Sequence, residues 1–240
     1  MSLSGKRIVI VGGTSGIGFA VAQGASAEGA KVVLVSSDPA KVAAAAGRLA
    51  GAESLALDVT DEAAVGRAFE GIGGFDHLVF TAGDWGGPRR GPLAELDLEA
   101  ARGLFAVRFW GALAVVKHAQ KAISPGGSIT LTDGMIAHRP SKGSAVSTAM
   151  AGAVEHLTRG LAVELAPIRV NAVCPGLIRT GVWDGIPEDR REERFRTMTT
   201  RQPLARIGEP EEAAEAYLYL MKGGYTTGQV LQVDGGSSAV

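Results

Sequence analysis

The residues that could do chemistry begin with three glycines near the amino terminus. Gly12, Gly16 and Gly18 follow the β-branched run Arg7–Val11, and an Ala-rich segment comes after them. Gly12 permits a tight turn, Gly16 lets the backbone approach a pyrophosphate, and Gly18 lets a helix pack closely on the strand. The start of that helix offers backbone N–H groups to phosphate. The spacing therefore predicts a dinucleotide-phosphate site formed by Gly12, Thr14, Ser15, Gly16, Ile17 and Gly18.

The acid–base candidates lie in the middle of the chain. Asp133 could donate a proton if burial raised its pKa, or it could cap a turn. The aliphatic hydroxyl of Ser147 has too high a pKa to act as an acid unaided. His138 and Lys142 lie in the loop between these two residues, where such side chains are usually solvated. No His, Asp or Glu cluster has ligand spacing, so the sequence predicts no metal site.

Short apolar runs alternate with helical patterns along the whole chain. This alternation predicts right-handed crossovers and a parallel sheet that is covered on both faces. The expected fold class is α/β, a single doubly wound Rossmann domain over residues 1–240 with a seven-stranded parallel sheet. Thr60 is the expected N-cap of the third helix, one long helix is expected over 98–122, and the polar segment 181–201 is expected to form a lid. The predicted strands are 7–11, 31–35, 54–57, 76–80, 128–132, 168–173 and 228–234.

The bulk properties exclude several classes of protein. A net charge of −1 gives no electrostatic reason to expect a nucleic-acid partner, and no apolar run is long enough for a membrane span or signal peptide. We therefore expect a cytoplasmic protein without membrane attachment. The lone Cys174 excludes an internal disulfide and favours a packing role. Trp85 and Trp110 are expected to be pocket or interface aromatics, and Arg89 and Arg90 solvated loop residues.

Several motifs together resemble the short-chain dehydrogenase/reductase family, and the resemblance covers the whole chain. It implies a Rossmann fold, a nicotinamide cofactor and oxidoreductase chemistry on a small-molecule substrate. The matching motifs are the glycine turn at 12–18, Asp58-Val59, Ala82-Gly83, the runs 161–167 and 168–171, Pro175-Gly176 with the residues to Thr180, the run 206–212, and the segment 227–236.

The resemblance implies further cofactor contacts. Asp58 matches the acid that hydrogen-bonds the adenine amino group, and Val59 supplies a backbone partner. The implied ribose segment is Thr81, Ala82 and Gly83, and the implied nicotinamide segment contains Pro175, Gly176, Ile178 and Thr180.

The end of the second predicted strand bears on the choice between NAD(H) and NADP(H). An NAD site places an acid there to accept from the ribose 2′-hydroxyl, and that acid would repel a 2′-phosphate. Ser36 and Ser37 stand here instead, so NADP(H) is favoured over NAD(H). Asp38 is close enough to oppose a phosphate, and the arginine usual at position 37 is missing.

The catalytic residues that the family uses are missing from this chain. Ser147 stands at the tyrosine position and Ala151 at the lysine position, while Gly134 replaces the serine and Arg108 the asparagine. Arg108 could clamp an anionic substrate or pair with a carboxylate such as that of Asp133.

Three functions stay open from the sequence. The first is an NADP(H)-dependent oxidoreductase whose proton comes from Asp133 or from a substrate-bound water. The others are a catalytically silent NADP(H)-binding sensor or scaffold, and a non-redox isomerase or cyclase. The resemblance also implies a homodimer or homotetramer that pairs the two long helices, here about 98–122 and 147–165.

Overall fold

A seven-stranded sheet forms the centre of the molecule. The computed structural model describes residues 2–83 and 91–240, so Trp85, Arg89 and Arg90 lie outside the described residues. The strand order is β3–β2–β1–β4–β5–β6–β7, and every neighbouring pair is parallel, which confirms the predicted fold class. The strands are β1 (Arg7–Val11), β2 (Lys31–Ser36), β3 (Glu53–Ala56), β4 (Phe75–Phe80), β5 (Ile123–Thr132), β6 (Arg169–Pro175) and β7 (Val230–Val233).

Helices cover both faces of this sheet. Because side chains alternate along a strand, Val9 and Val11 of β1 enter one apolar core while Ile8 and Ile10 enter the other. The α-helices are α1 (Gly16–Ala27), α2 (Pro39–Gly47), α3 (Glu62–Ile72), α4 (Leu98–Arg102), α5 (Ala112–Ala119), α6 (Ala145–Glu164), α7 (Glu188–Thr199) and α8 (Pro210–Lys222). The first core packs against α3, α5 and α6, and the second against α1 and α8.

Two expectations about the helices are wrong. Asp61, not Thr60, is the N-cap of α3, because its carboxylate accepts from the backbone N–H of Ala64 at 3.0 Å. The predicted long helix over 98–122 is divided into α4, a π-helix at Ala106–Gly111, and α5 with a final 3₁₀ turn. Wider turns of this kind reposition side chains.

The strand order reverses between β1 and β4, so the turns that leave these two strands flank a crevice at the carboxyl edge of the sheet. The segment 181–201 supplies a 3₁₀ turn at Gly181–Trp183 and helix α7 on the carboxyl side of β6. Within residues 2–83 and 91–240, no helix is both long and apolar enough to cross a membrane.

Candidate functional site

The glycine turn is tied to β2 and to the end of β4, the two strands beside β1. The Gly12 N–H donates to the carbonyl of Val35 on β2, and the Thr81 hydroxyl donates to the carbonyl of Gly12 at 3.2 Å. A Cβ at Gly18 would lie 2.3 Å from the Gly12 oxygen and 2.4 Å from Thr81 Oγ1. Gly18 is therefore required for packing, and Thr81 holds the turn in place.

The amino end of α1 faces the segment predicted to contact nicotinamide. Ser15 is the N-cap but makes no side-chain cap hydrogen bond, which leaves the first helical N–H groups for an anion. Gly16 has a φ of +50°, and a Cβ there would lie 3.1 Å from Thr180 Cγ2. The glycine turn and Thr180, far apart in sequence, thus lie on opposite sides of one narrow gap, and a side chain at Gly16 would fill it. This geometry fits a dinucleotide.

The positions expected near adenosine lie at adjacent strand ends. The Leu57 N–H donates to the carbonyl of Ser36, which brings the end of β2 beside Asp58. Asp58 Oδ1 accepts from the backbone N–H and the hydroxyl of Thr60, and these bonds lower the pKa of the Asp58 carboxyl. Val59 is buried beside Gly111.

Asp38 is turned into the helix that follows it. Its carboxylate accepts from the N–H groups of Ala40 at 2.9 Å and Lys41 at 3.2 Å as the N-cap of α2. Ser37 is exposed and Ser36 half-buried. The carboxylate is therefore satisfied by the helix, while Ser37 faces solvent.

The nicotinamide segment follows β6 and runs into the first turn of 181–201. Ile178 is buried, forms an isolated bridge with Gly208, and accepts from Trp183 Nε1 at 2.7 Å through its carbonyl oxygen. Gly176 lies against Asp234, where a Cβ would be 2.6 Å from the Asp234 Cα. The backbone path from Gly176 to Thr180 is thus fixed on both sides.

The usual catalytic positions carry small side chains on α6 and at the end of β5. Ser147 and Ala151 are buried on α6, and Gly134 is buried after β5. In the described part of the chain, Ser147 Oγ has no hydrogen-bond partner, and Ser147 lines a cavity of about 60 Å³ with Leu93. The site therefore has space, but not the groups, of the usual carbonyl-reducing centre.

Asp133 is a buried carboxyl group that directly precedes Gly134. It is 1% exposed, and no hydrogen bond of standard geometry reaches either carboxylate oxygen from the described residues. It therefore does not cap a turn through that carboxylate. Burial raises the pKa of Asp133, the neighbouring Glu155 adds to that effect, and Cys174 and Arg108 oppose it, so that the pKa reaches about 8. A carboxyl group of this kind retains its proton near neutral pH.

The π-helix places Arg108 beside Asp133. The Arg108 side chain is buried, lies across Gly83, and directs its guanidinium toward the carbonyl oxygens of Thr132 and Asp133 at 3.5 and 3.4 Å. Its charge lowers the Asp133 pKa only slightly relative to the effect of burial. These contacts are to backbone carbonyl oxygens, and the Asp133 carboxylate accepts no hydrogen bond from Arg108, so the structure does not show the pairing with this carboxylate that the sequence left open.

The fold also assembles a group of polar residues that the sequence spacing did not indicate. Ligand-type atoms of Asp133, His138, Glu155 and Cys174 all lie within 4.8 Å of one another. These residues come from the end of β5, the loop after it, α6 and β6, so only the tertiary fold brings them together. Glu155 could have been suspected from its place on α6, since it falls on the same buried stripe as Ser147 and Ala151.

Three candidate residues remain, and the structure gives the exposure and contacts of each. Lys142 is exposed, as expected for a loop residue. His138 is partly exposed but lies 2.6 Å from Glu155, so it is not simply solvated. Cys174 is fully buried, and burial raises the pKa of its thiol well above the usual range. A thiol in that setting is inert as a nucleophile, in agreement with the packing role expected from the sequence.

Comparisons with known proteins agree with this geometry. A family model described as enoyl-(acyl carrier protein) reductase matches residues 11–238. The short-chain dehydrogenase/reductase malC of Malbranchea aurantiaca is 36% identical, over 98% of this chain and 95% of malC. A small-chain dehydrogenase solved in complex with NADPH is 35% identical, over 99% of this chain and 100% of its own, with a TM-score of 0.85.

The structure of the MalC reductase/Diels-Alderase from Malbranchea aurantiaca is also similar. It has 36% sequence identity and a TM-score of 0.90, over 98% of this chain and 96% of its own. Family model, relative and solved structures agree across nearly the full length. The chain therefore belongs to the short-chain dehydrogenase/reductase family.

Proposed function

We propose that the protein is an NADP(H)-dependent oxidoreductase that reduces a small carbonyl compound and takes the proton from Asp133, directly or through a bound water. The observation that supports this most strongly is the buried Asp133 carboxyl beside Gly134, the position of the missing serine. Burial keeps this carboxyl protonated near neutral pH, which is the state that a general acid requires.

The residues that would hold the cofactor are those of the crevice. The glycine turn with Ser15 and Ile17 would bind the pyrophosphate, and Asp58, Val59, Ala82 and Gly83 the adenosine. The segment from Pro175 to Thr180 would hold the nicotinamide ring. When bound, NADPH supplies a hydride.

Ser36 and Ser37 support NADP(H) over NAD(H). Both are hydroxyl donors, and the nearby carboxylate of Asp38 is already satisfied by the first turn of α2. A 2′-phosphate would therefore meet hydroxyl and backbone donors with reduced repulsion. The NADPH-bound neighbour supports the same choice.

The chain's own part in the reaction is the handling of one proton. The Asp133 carboxyl would release its proton to the carbonyl oxygen of the substrate as that group is reduced, which would leave the alcohol and an Asp133 carboxylate. Arg108 stabilises that new negative charge because its guanidinium is fixed nearby. Ser147 is left to contact the substrate as a neutral hydroxyl.

A panel of carbonyl and enone compounds tests this function by single-turnover oxidation of bound NADPH. We expect oxidation with at least one compound, and a loss of about 10²-fold or more for Asp133→Asn, since general acids typically contribute that much. Ser147→Ala is expected to lose less. Tight NADPH binding without oxidation of any panel member would instead favour the silent sensor.

A cyclisation activity is the second candidate. The observation that favours it is the likeness to MalC, a reductase/Diels-Alderase by description, over nearly the whole chain. A pocket without the usual tyrosine and lysine could shape a substrate for ring closure while the cofactor forms a wall. Substrate change without any change in NADPH absorbance would identify this activity.

A further inference from the structure

A line of three ionisable side chains leads from the surface to Asp133. His138 has about a third of its side chain exposed, and its Nε2 lies 2.6 Å from Glu155 Oε1. Glu155 is 6% exposed, projects from α6, and has a carboxylate oxygen within 4.8 Å of an oxygen of the Asp133 carboxyl. The proposed reaction leaves Asp133 as a buried carboxylate that must regain a proton before the next turnover.

We propose that His138 and Glu155 form a proton relay that reprotonates Asp133 from solvent after each turnover. The inference rests on the proposed function of Asp133. In each cycle Glu155 passes a proton to the Asp133 carboxylate, His138 passes one to Glu155, and His138 regains one from water. One proton enters from solvent for each alcohol formed, so the balance closes without another reactant.

A metal ion is the competing explanation for this cluster. Ligands bound to one tetrahedral Zn²⁺ at about 2.0 Å lie about 3.3 Å apart. The His138 Nε2 and Glu155 Oε1 atoms are only 2.6 Å apart, a separation that is too short for two ligands of one cation. The high pKa of the Cys174 thiol likewise disfavours the thiolate that a metal would require.

Other titratable and charged groups surround the relay. Arg108 faces Asp133 from the π-helix, Cys174 from β6, and Tyr217 of α8 lies within electrostatic reach. Arg159, one turn beyond Glu155 on α6, approaches Glu155 Oε2 at 3.8 Å. The two oxygens of Glu155 thus face different side chains, Oε1 facing His138 and Oε2 facing Arg159.

Two variants and one control test the relay. His138→Gln removes the partly exposed proton carrier, which lies on a loop. Glu155→Gln removes the buried proton carrier with little change in the shape of the side chain. His156→Gln removes a histidine from the surface of the same helix, where His156 Nδ1 contacts the Gly152 carbonyl, and serves as the control. The kinetic measurement compares the first turnover with the steady state, with and without added imidazole.

We expect His138→Gln to keep the first turnover, because Asp133 starts protonated, and to lose roughly tenfold or more in steady-state rate. Imidazole should restore that rate in this variant and leave His156→Gln unchanged. Equal losses in the first-turnover and steady-state rates, or no loss in either rate, would overturn the relay. Zinc bound in 1:1 ratio and lost in the same variants would overturn it in favour of a metal site.

A measurement without cofactor separates the relay from the proposed function. The protonation of Asp133 is followed in the cofactor-free protein by NMR of ¹³C-labelled aspartate across a pH range. Glu155→Gln removes a neighbouring acid that raises the Asp133 pKa, so the titration should move to lower pH. An unmoved titration would contradict the relay even if reduction occurs, whereas a moved titration without any reduction would contradict only the proposed function.

Discussion

At the scale of single residues, we propose that one buried carboxyl group takes the role of the family's tyrosine–lysine pair. In the tyrosine–lysine pair, the lysine cation lowers the high pKa of the tyrosine. In this chain, burial raises the low pKa of Asp133. Both routes give a group that exchanges its proton near neutral pH.

Asp133 also gives a prediction about stability. The pKa of Asp133 is raised from an ordinary value of 3.8 to about 8 in the folded protein. This group therefore lowers the free energy of unfolding as pH rises from 3.8 to about 8, by at most about 1.4 kcal/mol per pH unit. Urea unfolding between pH 6.5 and 8 should show this slope in the wild type and a flatter one in Asp133→Asn. The range starts at 6.5 because burial lowers the pKa of His77 to about 4, which gives a slope of opposite sign below 6.5. Identical slopes in the two proteins would contradict the buried acid.

Ser37 gives a prediction about cofactor choice. Ser37→Asp places a carboxylate where we propose that the 2′-phosphate binds, and repulsion should weaken NADPH binding by roughly 10- to 100-fold. NADH binding should change little. Fluorescence titration of both cofactors measures this, with Ser37→Asn as the neutral control of similar size. Tighter binding of NADH than NADPH by the wild type would contradict the NADP(H) preference.

At the scale of elements, the turn between β1 and α1 allows no added atom at Gly18. Gly18→Ala would force its Cβ against the Gly12 carbonyl and Thr81, and we expect a loss of about 1–3 kcal/mol in the free energy of unfolding. Gly71→Ala in α3 is the control, because a Cβ there meets nothing within 4 Å. Denaturant unfolding of the two variants should separate them clearly, and equal stabilities would show that the turn can relax.

The sequence predicts the sheet well because the strand signals are local. Apolar runs such as Val32–Val35 and Ile8–Val11 must be buried on both faces, and the crossover rule then leaves few topologies. The π-helix at Ala106–Gly111 was missed because its pattern of side chains is still helical. Asp61, and not Thr60, is the N-cap of α3. Both residue types suit an N-cap position, so only the backbone path decides between them.

The candidate site also has one part that the sequence predicts and another that only the fold brings together. The positions in the glycine turn and at Thr180 follow from contiguous motifs, so the sequence identifies them. Asp133 and its three neighbours in the cluster come from four separate parts of the chain, and no spacing in the sequence relates Glu155 to His138. Burial sets the pKa of Asp133, and burial is a property of the whole fold.

At the scale of the whole molecule, we propose that the chain forms a homodimer or homotetramer through its two long helical segments. Trp110 is 61% exposed and Val163 is 83% exposed, and large apolar side chains on these segments are suited to an interface. Trp110→Arg should reduce the molar mass measured by light scattering, while Val182→Arg, also at an exposed apolar residue, should not. A monomeric wild type would contradict this assembly.

The central claim is that Asp133 supplies the proton for reduction, and the most direct test is the pH dependence of single-turnover NADPH oxidation. The wild type should react fully below a pKa of about 8 and lose activity above it, as Asp133 ionises. Asp133→Asn should bind NADPH with unchanged affinity and react at least about 10²-fold more slowly at every pH. An Asp133→Asn protein with the rate and pH profile of the wild type would contradict the account.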